Sequence, residues 1–178
     1  HSKGLIQMVL DIILIALLTI CLYTDIKFKK IYNKYLVPAV VLALAINLYF
    51  GGFEGALESI KGLLLGMGLL FIPFALGGMG AGDVKLMGVV GALKGPEFVW
   101  VAFLASAMAG GILAIGEMLK SGQLKQRLLS IWYTLLSLIG IVPRINLLGT
   151  LQDIRPYKAV PYGAAITIGT VITYFVMR

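Results

Sequence analysis

Histidine, cysteine and acidic residues are all scarce in this chain: among 178 residues there is one His, one Cys and eight Asp or Glu. The histidine is His1, in a His1-Ser2 start without an initiator Met that we set aside as foreign to the natural chain. With no other imidazole, Ser-His and Cys-His nucleophilic pairs cannot be built, nor can a zinc site made of two His one helical turn apart. The lone Cys21 excludes an internal disulfide, a CxxC redox pair and a structural zinc site, and its apolar surroundings make it a packing residue. No metal and no other cofactor is implied. Charge of either sign is also sparse: 13% of residues are charged and 60% hydrophobic, where soluble domains hold about 25% and about 45–50%. With a mean hydropathy of +0.97, much of the surface must face lipid, which makes this an all-α, polytopic membrane protein. The net charge of +7 would suggest nucleic acid in a soluble protein; here it is loop charge that sets topology, and no nucleic-acid partner is expected.

A membrane-spanning helix needs about 20 mostly apolar residues. Leu5 to Thr24 supplies the first, interrupted by Asp11, and Leu36 to Phe50 the second. The third runs from Lys61 to Met79, rich in glycine, with a kink expected at Pro73. Asp83 to Leu119 is too long for one span, at about 55 Å against a hydrocarbon core near 30 Å. Lys94-Gly95-Pro96-Glu97 is the natural break, giving a short fourth span over 82–93 and a fifth over 97–118. Ala159 to Met177 makes the sixth. Residues 3–178 form a single membrane-embedded domain on this reading. The Gly-x-x-x-Gly spacings at Gly62/Gly66, Gly78/Gly82 and Gly91/Gly95 would let helix backbones approach closely.

Lys and Arg collect in short cytoplasmic loops. Placing Lys27, Lys29, Lys30 and Lys34 inside also puts Lys85, Lys120, Lys125, Arg127, Arg144, Arg155 and Lys158 there. Only Lys3, Lys61, Lys94 and Arg178 stay outside, so both termini are expected to be extracytoplasmic. The apolar stretch Leu128 to Val142 is short for a span and carries Ser130, Thr134 and Ser137. Bracketed by Arg127 and Arg144, it fits an interfacial helix with Trp132 and Tyr133 at headgroup depth, a re-entrant or spanning segment being the alternative.

The few acids can be weighed one by one. Glu54, Glu58 and Glu97 fall in outer loops as solvated charge. Asp11, two turns inside the first span, is expensive there, and reads as a structural polar contact or a water-facing group. It lies about 21 Å along the helix from Asp25, too far to pair with it. Asp25, Asp83, Glu117 and Asp153 remain at the cytoplasmic face. Asp25 opens a basic stretch directly against a span, and Asp83 closes Gly77-Gly78-Met79-Gly80-Ala81-Gly82, where missing side chains would admit a peptide backbone. Two carboxylates brought together share a proton, one acting as base towards water, as in aspartic proteases. From composition and topology alone a second reading stays open, in which Asp25 pairs with nearby lysines and Asp83 caps a helix.

Gly80-Ala81-Gly82-Asp83-Val84-Lys85-Leu86, after a Gly/Pro-rich span, resembles the GxGD signature of the type IV prepilin peptidases, membrane aspartic proteases with six spans. Asp25-Ile26-Lys27-Phe28-Lys29-Lys30-Ile31-Tyr32-Asn33 resembles their first-aspartate motif, with Tyr32 where Pro is usual. Val160-Pro161-Tyr162-Gly163, opening the sixth span, is similar to the family's Ile-Pro-Phe-Gly segment. The motifs follow the family's order over nearly the whole chain.

The resemblance implies an inner-membrane hydrolase that removes the short basic leader of prepilin-like precursors, for type IV pili or protein secretion, next to a hydrophobic helix. Asp25 and Asp83 would be the catalytic pair, with Gly80 and Gly82 shaping the backbone beside them, on the cytoplasmic side. N-methylation is not expected, because the methyltransferase region of bifunctional members carries four cysteines. The precursor and membrane lipid are the expected partners. Glu117 and Asp153 would meet the leader's charge, while Lys27, Lys29, Lys30 and Lys34 would anchor their loop to anionic lipid. Two alternatives differ in class: a presenilin-like intramembrane protease, and a small transporter or scaffold whose buried acids bind a cation or proton.

Overall fold

In this computed structural model the described residues are 2–28, 30–75, 78–120 and 162–177, and their regular structure is entirely helical. The helices are α1 (Ser2–Phe28), α2 (Asn33–Ala75), α3 (Ala81–Lys94), α4 (Pro96–Lys120) and α5 (Tyr162–Val176). The chain divides into two compact units, His1–Gly110 with Pro161–Arg178, and Gly111–Val160; of the second, only the end of α4 is described. The segment 128–142 and Asp153 lie outside the described residues.

Three helical stretches are long and apolar enough to cross a membrane: Gly4–Phe28, Asn33–Ala75 and Pro96–Gly116. Their surface pattern is the one lipid selects. In α1, Leu10, Leu14, Leu17, Leu18 and Cys21 are buried, while Leu5, Met8, Ile12 and Ile15 form an exposed face that is equally apolar. A helix apolar on both its faces has no side to offer water. α4 repeats this, with Val99, Ala102 and Ser106 buried and Trp100, Leu104, Met108 and Ile112 outward.

The second and third expected spans fall within one helical element, α2, broken at Gly52, whose φ of 62° and ψ of −153° no helix accommodates. The two halves fold back on each other there: a Cβ on Gly55 would collide with the carbonyl of Asn47. Asn47 and Ser59, which a straight helix would hold about 18 Å apart, both donate to the carbonyl of Ala92, at 3.3 and 2.6 Å. The outer loop expected around Glu54 and Glu58 is therefore a turn at Gly52 followed at once by helix. Glu58 stays exposed and pairs with Lys61 at 2.9 Å, an i,i+3 contact that suits a helix surface.

The second half of α2 lies antiparallel against α3 with almost no side chain between them. Gly62 faces the backbone of Gly91, and Gly66 faces that of Met87 and Gly88, so a Cβ on any of these three opposed glycine positions, 62, 66 or 91, would strike backbone. From Leu86 to Leu93 every residue of α3 is buried. Over this stretch its neighbours enclose the helix completely. α3 ends as its sequence dictates, with Gly95 at φ 88° donating to the carbonyl of Gly91 at 2.8 Å, and Pro96 opening α4.

Candidate active site

Asp25 stands in the last turns of α1 and Asp83 in the first turn of α3, and each is only 8% exposed. Both line a single pocket of about 350 Å³, whose remaining walls are residues 30–33, between α1 and α2, and Gly80, Ala81 and Gly82. The two carboxylates are near enough for the charge of Asp25 to act on Asp83.

The start of α3 fixes Asp83. Gly80, extended at φ −81° and ψ 152°, donates its N–H to Asp83 Oδ2 at 3.1 Å, and its carbonyl accepts the Asp83 N–H at 3.1 Å. The capping geometry expected of an acid here is thus present, and it aims the carboxylate into the pocket instead of competing with a role there. At Gly82 a Cβ would come within 2.9 Å of Ile31 Cβ and 3.3 Å of the Ile31 carbonyl, so this glycine lets the α1–α2 connection close over α3. Lys85 Nζ donates to Asn33 Oδ1 at 3.1 Å and ties together the two sequence motifs that carry the acids.

α5 completes the surroundings of Asp25. A Cβ on Gly163 would stand 2.7 Å from Asp25 Oδ2 and 2.9 Å from its Cγ. The absence of a side chain at 163 is what allows the carboxylate its position. Sequence reasoning singled out Gly163 only as part of a motif opening the last span, Asn33 only as a motif member, and Lys85 as a motif member and a cytoplasmic charge. In each case the signal was the motif, while the contact crosses from one motif to another.

The remaining candidates divide. Lys30 lines the pocket with the acids. Lys27 points elsewhere, donating to the Tyr23 hydroxyl at 3.0 Å and lying over the Tyr23 and Phe28 rings, and Lys34 lies 4.8 Å over the Tyr35 ring. Lys29 is outside the described residues, as is the side chain of Glu117. Tyr32 also borders a second, largely apolar groove of about 600 Å³ with Thr19, Ile20, Tyr23, Thr24 and Phe28 among its walls. Among the described residues no group of three His, Cys, Asp or Glu could hold a metal.

Apolar helices with two acids lining one pocket make this a helical membrane protein with a candidate carboxylate site, and comparison with known proteins gives its family. Residues 12–115 match the type IV leader peptidase family, which is more than half of the chain, and the chain belongs to that family. It is 31% identical over 119 residues to the prepilin leader peptidase/N-methyltransferase of Bacillus subtilis (strain 168), covering 65% of this chain and 47% of that protein. The chain thus spans about half the length of the curated relative it matches. No solved structure matches it. Asp25, Asn33, Asp83 and Lys85 all fall inside the matched residues, and α5 with Gly163 lies beyond them. Membership of this family displaces the presenilin-like alternative.

Proposed function

We propose that this chain is a membrane aspartic endopeptidase that cleaves the basic leader from prepilin-like precursors at the cytoplasmic membrane face. The observation that carries the reading is the pair of buried carboxylates, one ending α1 and one opening α3, that line the same pocket. Family membership supports the reaction class. Asp11, the other acid within a span, is held in an ion pair with Lys94, which supports the structural reading of that residue.

One carboxylate takes a proton from water as the oxygen attacks the scissile carbonyl carbon; the other, protonated, donates to the carbonyl oxygen. The tetrahedral intermediate then collapses: the second carboxylate takes a proton back from one of its hydroxyls as C=O reforms, the C–N bond breaks, and the proton gained by the first carboxylate passes to the departing amine. The roles belong to the pair and are assigned to neither acid singly. Lys30 lines the same pocket and brings positive charge to it. The apolar groove continuing from Tyr32 offers a place for the hydrophobic segment of the precursor.

Six crossings follow if α1, the two halves of α2, α3, α4 and α5 each span the bilayer. Charge asymmetry then places both termini outside and the acid pocket inside. The decisive experiment is cleavage of a prepilin-like precursor by purified protein. Asp25→Asn and Asp83→Asn should each lower turnover by about 10²–10⁴-fold while the protein stays folded, because an amide keeps the shape but cannot accept the proton. Wild-type turnover in Asp83→Asn would end the assignment.

A further inference from the structure

At the end of α3 opposite Asp83, Lys94 Nζ donates to Asp11 Oδ1 at 2.6 Å, and the Tyr174 hydroxyl donates to Asp11 Oδ2 at 3.0 Å. Gln7 Oε1 accepts from Lys94 at 3.4 Å, and the ammonium lies 5.4 Å from the Phe98 ring centroid and 5.3 Å from that of Tyr174. The Lys94 and Asp11 side chains are only 11% and 17% exposed, so their attraction is little screened.

Asp11, Lys94 and Tyr174 each stand on a helix whose other end carries one of the two carboxylates or, in α5, packs against one. α1 carries Asp11 and, about 21 Å along, Asp25. α3 carries Lys94 and, roughly 16 Å along, Asp83; α5 carries Tyr174 and, again roughly 16 Å along, Gly163. The same three helices therefore meet twice, once through polar bonds and once around the carboxylates.

The packing between them shows why the first meeting matters to the second. α3 is fastened chiefly to α2, glycine against backbone, whereas α1 touches α2, α3 and α5 far more sparingly. Asp25 and Asp83 line one pocket from the two sides of that sparse boundary between α1 and α3. Apolar contact in lipid is non-directional and fixes axial register poorly; hydrogen bonds and ion pairs fix it well. A slip of one residue along α1 would carry Asp25 about 1.5 Å past Asp83 and rotate it by about 100°.

We propose that Asp11, Lys94 and Tyr174 are positioning residues, a polar clamp that sets the axial register of α1, α3 and α5 and so holds Asp25 and Asp83 at their reacting separation. The catalytic consequence rests on the peptidase reading; the register itself does not.

The test therefore has two arms. Spin labels on Ile26→Cys and Ala81→Cys, both exposed, in a Cys21→Ser background report the α1–α3 separation at the pocket without any substrate. The full chain in lipid nanodiscs should give one narrow distance, which Asp11→Asn and Lys94→Gln broaden and the charge exchange Asp11→Lys with Lys94→Asp narrows again. In unlabelled protein each single substitution should lower kcat about tenfold with KM within about twofold, since a misplaced acid pair affects chemistry and not binding. Tyr174→Phe keeps the ring, is expected to fold, and should lower kcat by about fivefold. A narrow, parental distance in Asp11→Asn, or a loss of kcat with no broadening, overturns the clamp. If wild-type protein cleaves no leader, the peptidase reading fails while the distances still decide the clamp.

Discussion

Gly163→Ala tests the site geometry at the point where the structure is most specific. The added methyl would stand 2.7 Å from Asp25 Oδ2, against an ordinary contact of 3.4 Å or more, so the carboxylate must retreat by about 0.7 Å. It meets Oδ2 and Cγ, which rotation of Asp25 moves away for about 0.5–1.5 kcal/mol, and Cβ at 3.1 Å, which a backbone shift of a few tenths of an ångström relieves. Alanine also returns up to about 1 kcal/mol of helix propensity to α5. The fold should hardly notice. Catalysis should, because displacing a reacting group by about 1 Å can cost 10²-fold. Cleavage of a fluorogenic leader peptide in detergent should therefore fall by about 10²-fold, with an apparent Tm within a few degrees of wild type. Gly169→Ala is the matched control: its methyl would strike the backbone nitrogen and Cα of Ser106 in α4, where no side-chain rotation helps, so stability should fall with activity. Wild-type turnover in Gly163→Ala would refute the reasoning, as would an activity loss that merely tracks unfolding.

Three further outcomes are expected. Ser59→Ala removes the 2.6 Å hydrogen bond to the Ala92 carbonyl and should destabilise the α2–α3 contact by about 1 kcal/mol, measurable as a lower thermal midpoint with no change in KM. Lys30→Gln should reduce turnover in neutral detergent and anionic bilayers alike, because Lys30 lines the acid pocket, whereas Lys27→Gln should matter only in anionic bilayers. With Cys21→Ser removing the native thiol, cysteines at 29 and 123 should label only from the cytoplasm and those at 52 and 178 only from outside; cytoplasmic labelling at 178 would require a seventh crossing.

The parts of the fold legible in the sequence are those that short-range chemistry settles. Lys94-Gly95-Pro96 ends one helix and begins the next because glycine tolerates the φ of 88° and proline suits a first helical turn. The turn between the halves of α2 was harder to place. Gly51, Gly52, Glu54, Gly55 and Glu58 together read as a polar loop, yet only Gly52 leaves the helical region. Glu, Ala and Leu favour helix as soon as the turn is made, and Glu58 with Lys61 adds a helical ion pair. Composition over a window blurred a break that one residue makes.

The acids were legible for a related reason: a carboxylate against an apolar run is conspicuous wherever it falls, and Asp25 and Asp83 each came with a local motif. What surrounds them was not, because it is assembled from distant parts of the chain. Lys94 reads in sequence as an outer loop charge and Asp11 as an isolated expense within a span, 83 positions apart; Tyr174, 163 positions from Asp11, shows nothing unusual at all. Joined, they resolve one another: the largely buried acid gains a cation and a hydroxyl, and the lysine gains a reason to sit at the end of a helix buried from Leu86 to Leu93. The same holds for Gly163, whose meaning is the carboxylate of Asp25 against it. In a bundle of helices that are apolar all round, hydropathy locates the spans but carries little information on which faces meet. The polar residues do, once their partners are known, and here they lie at the two ends of the same three helices.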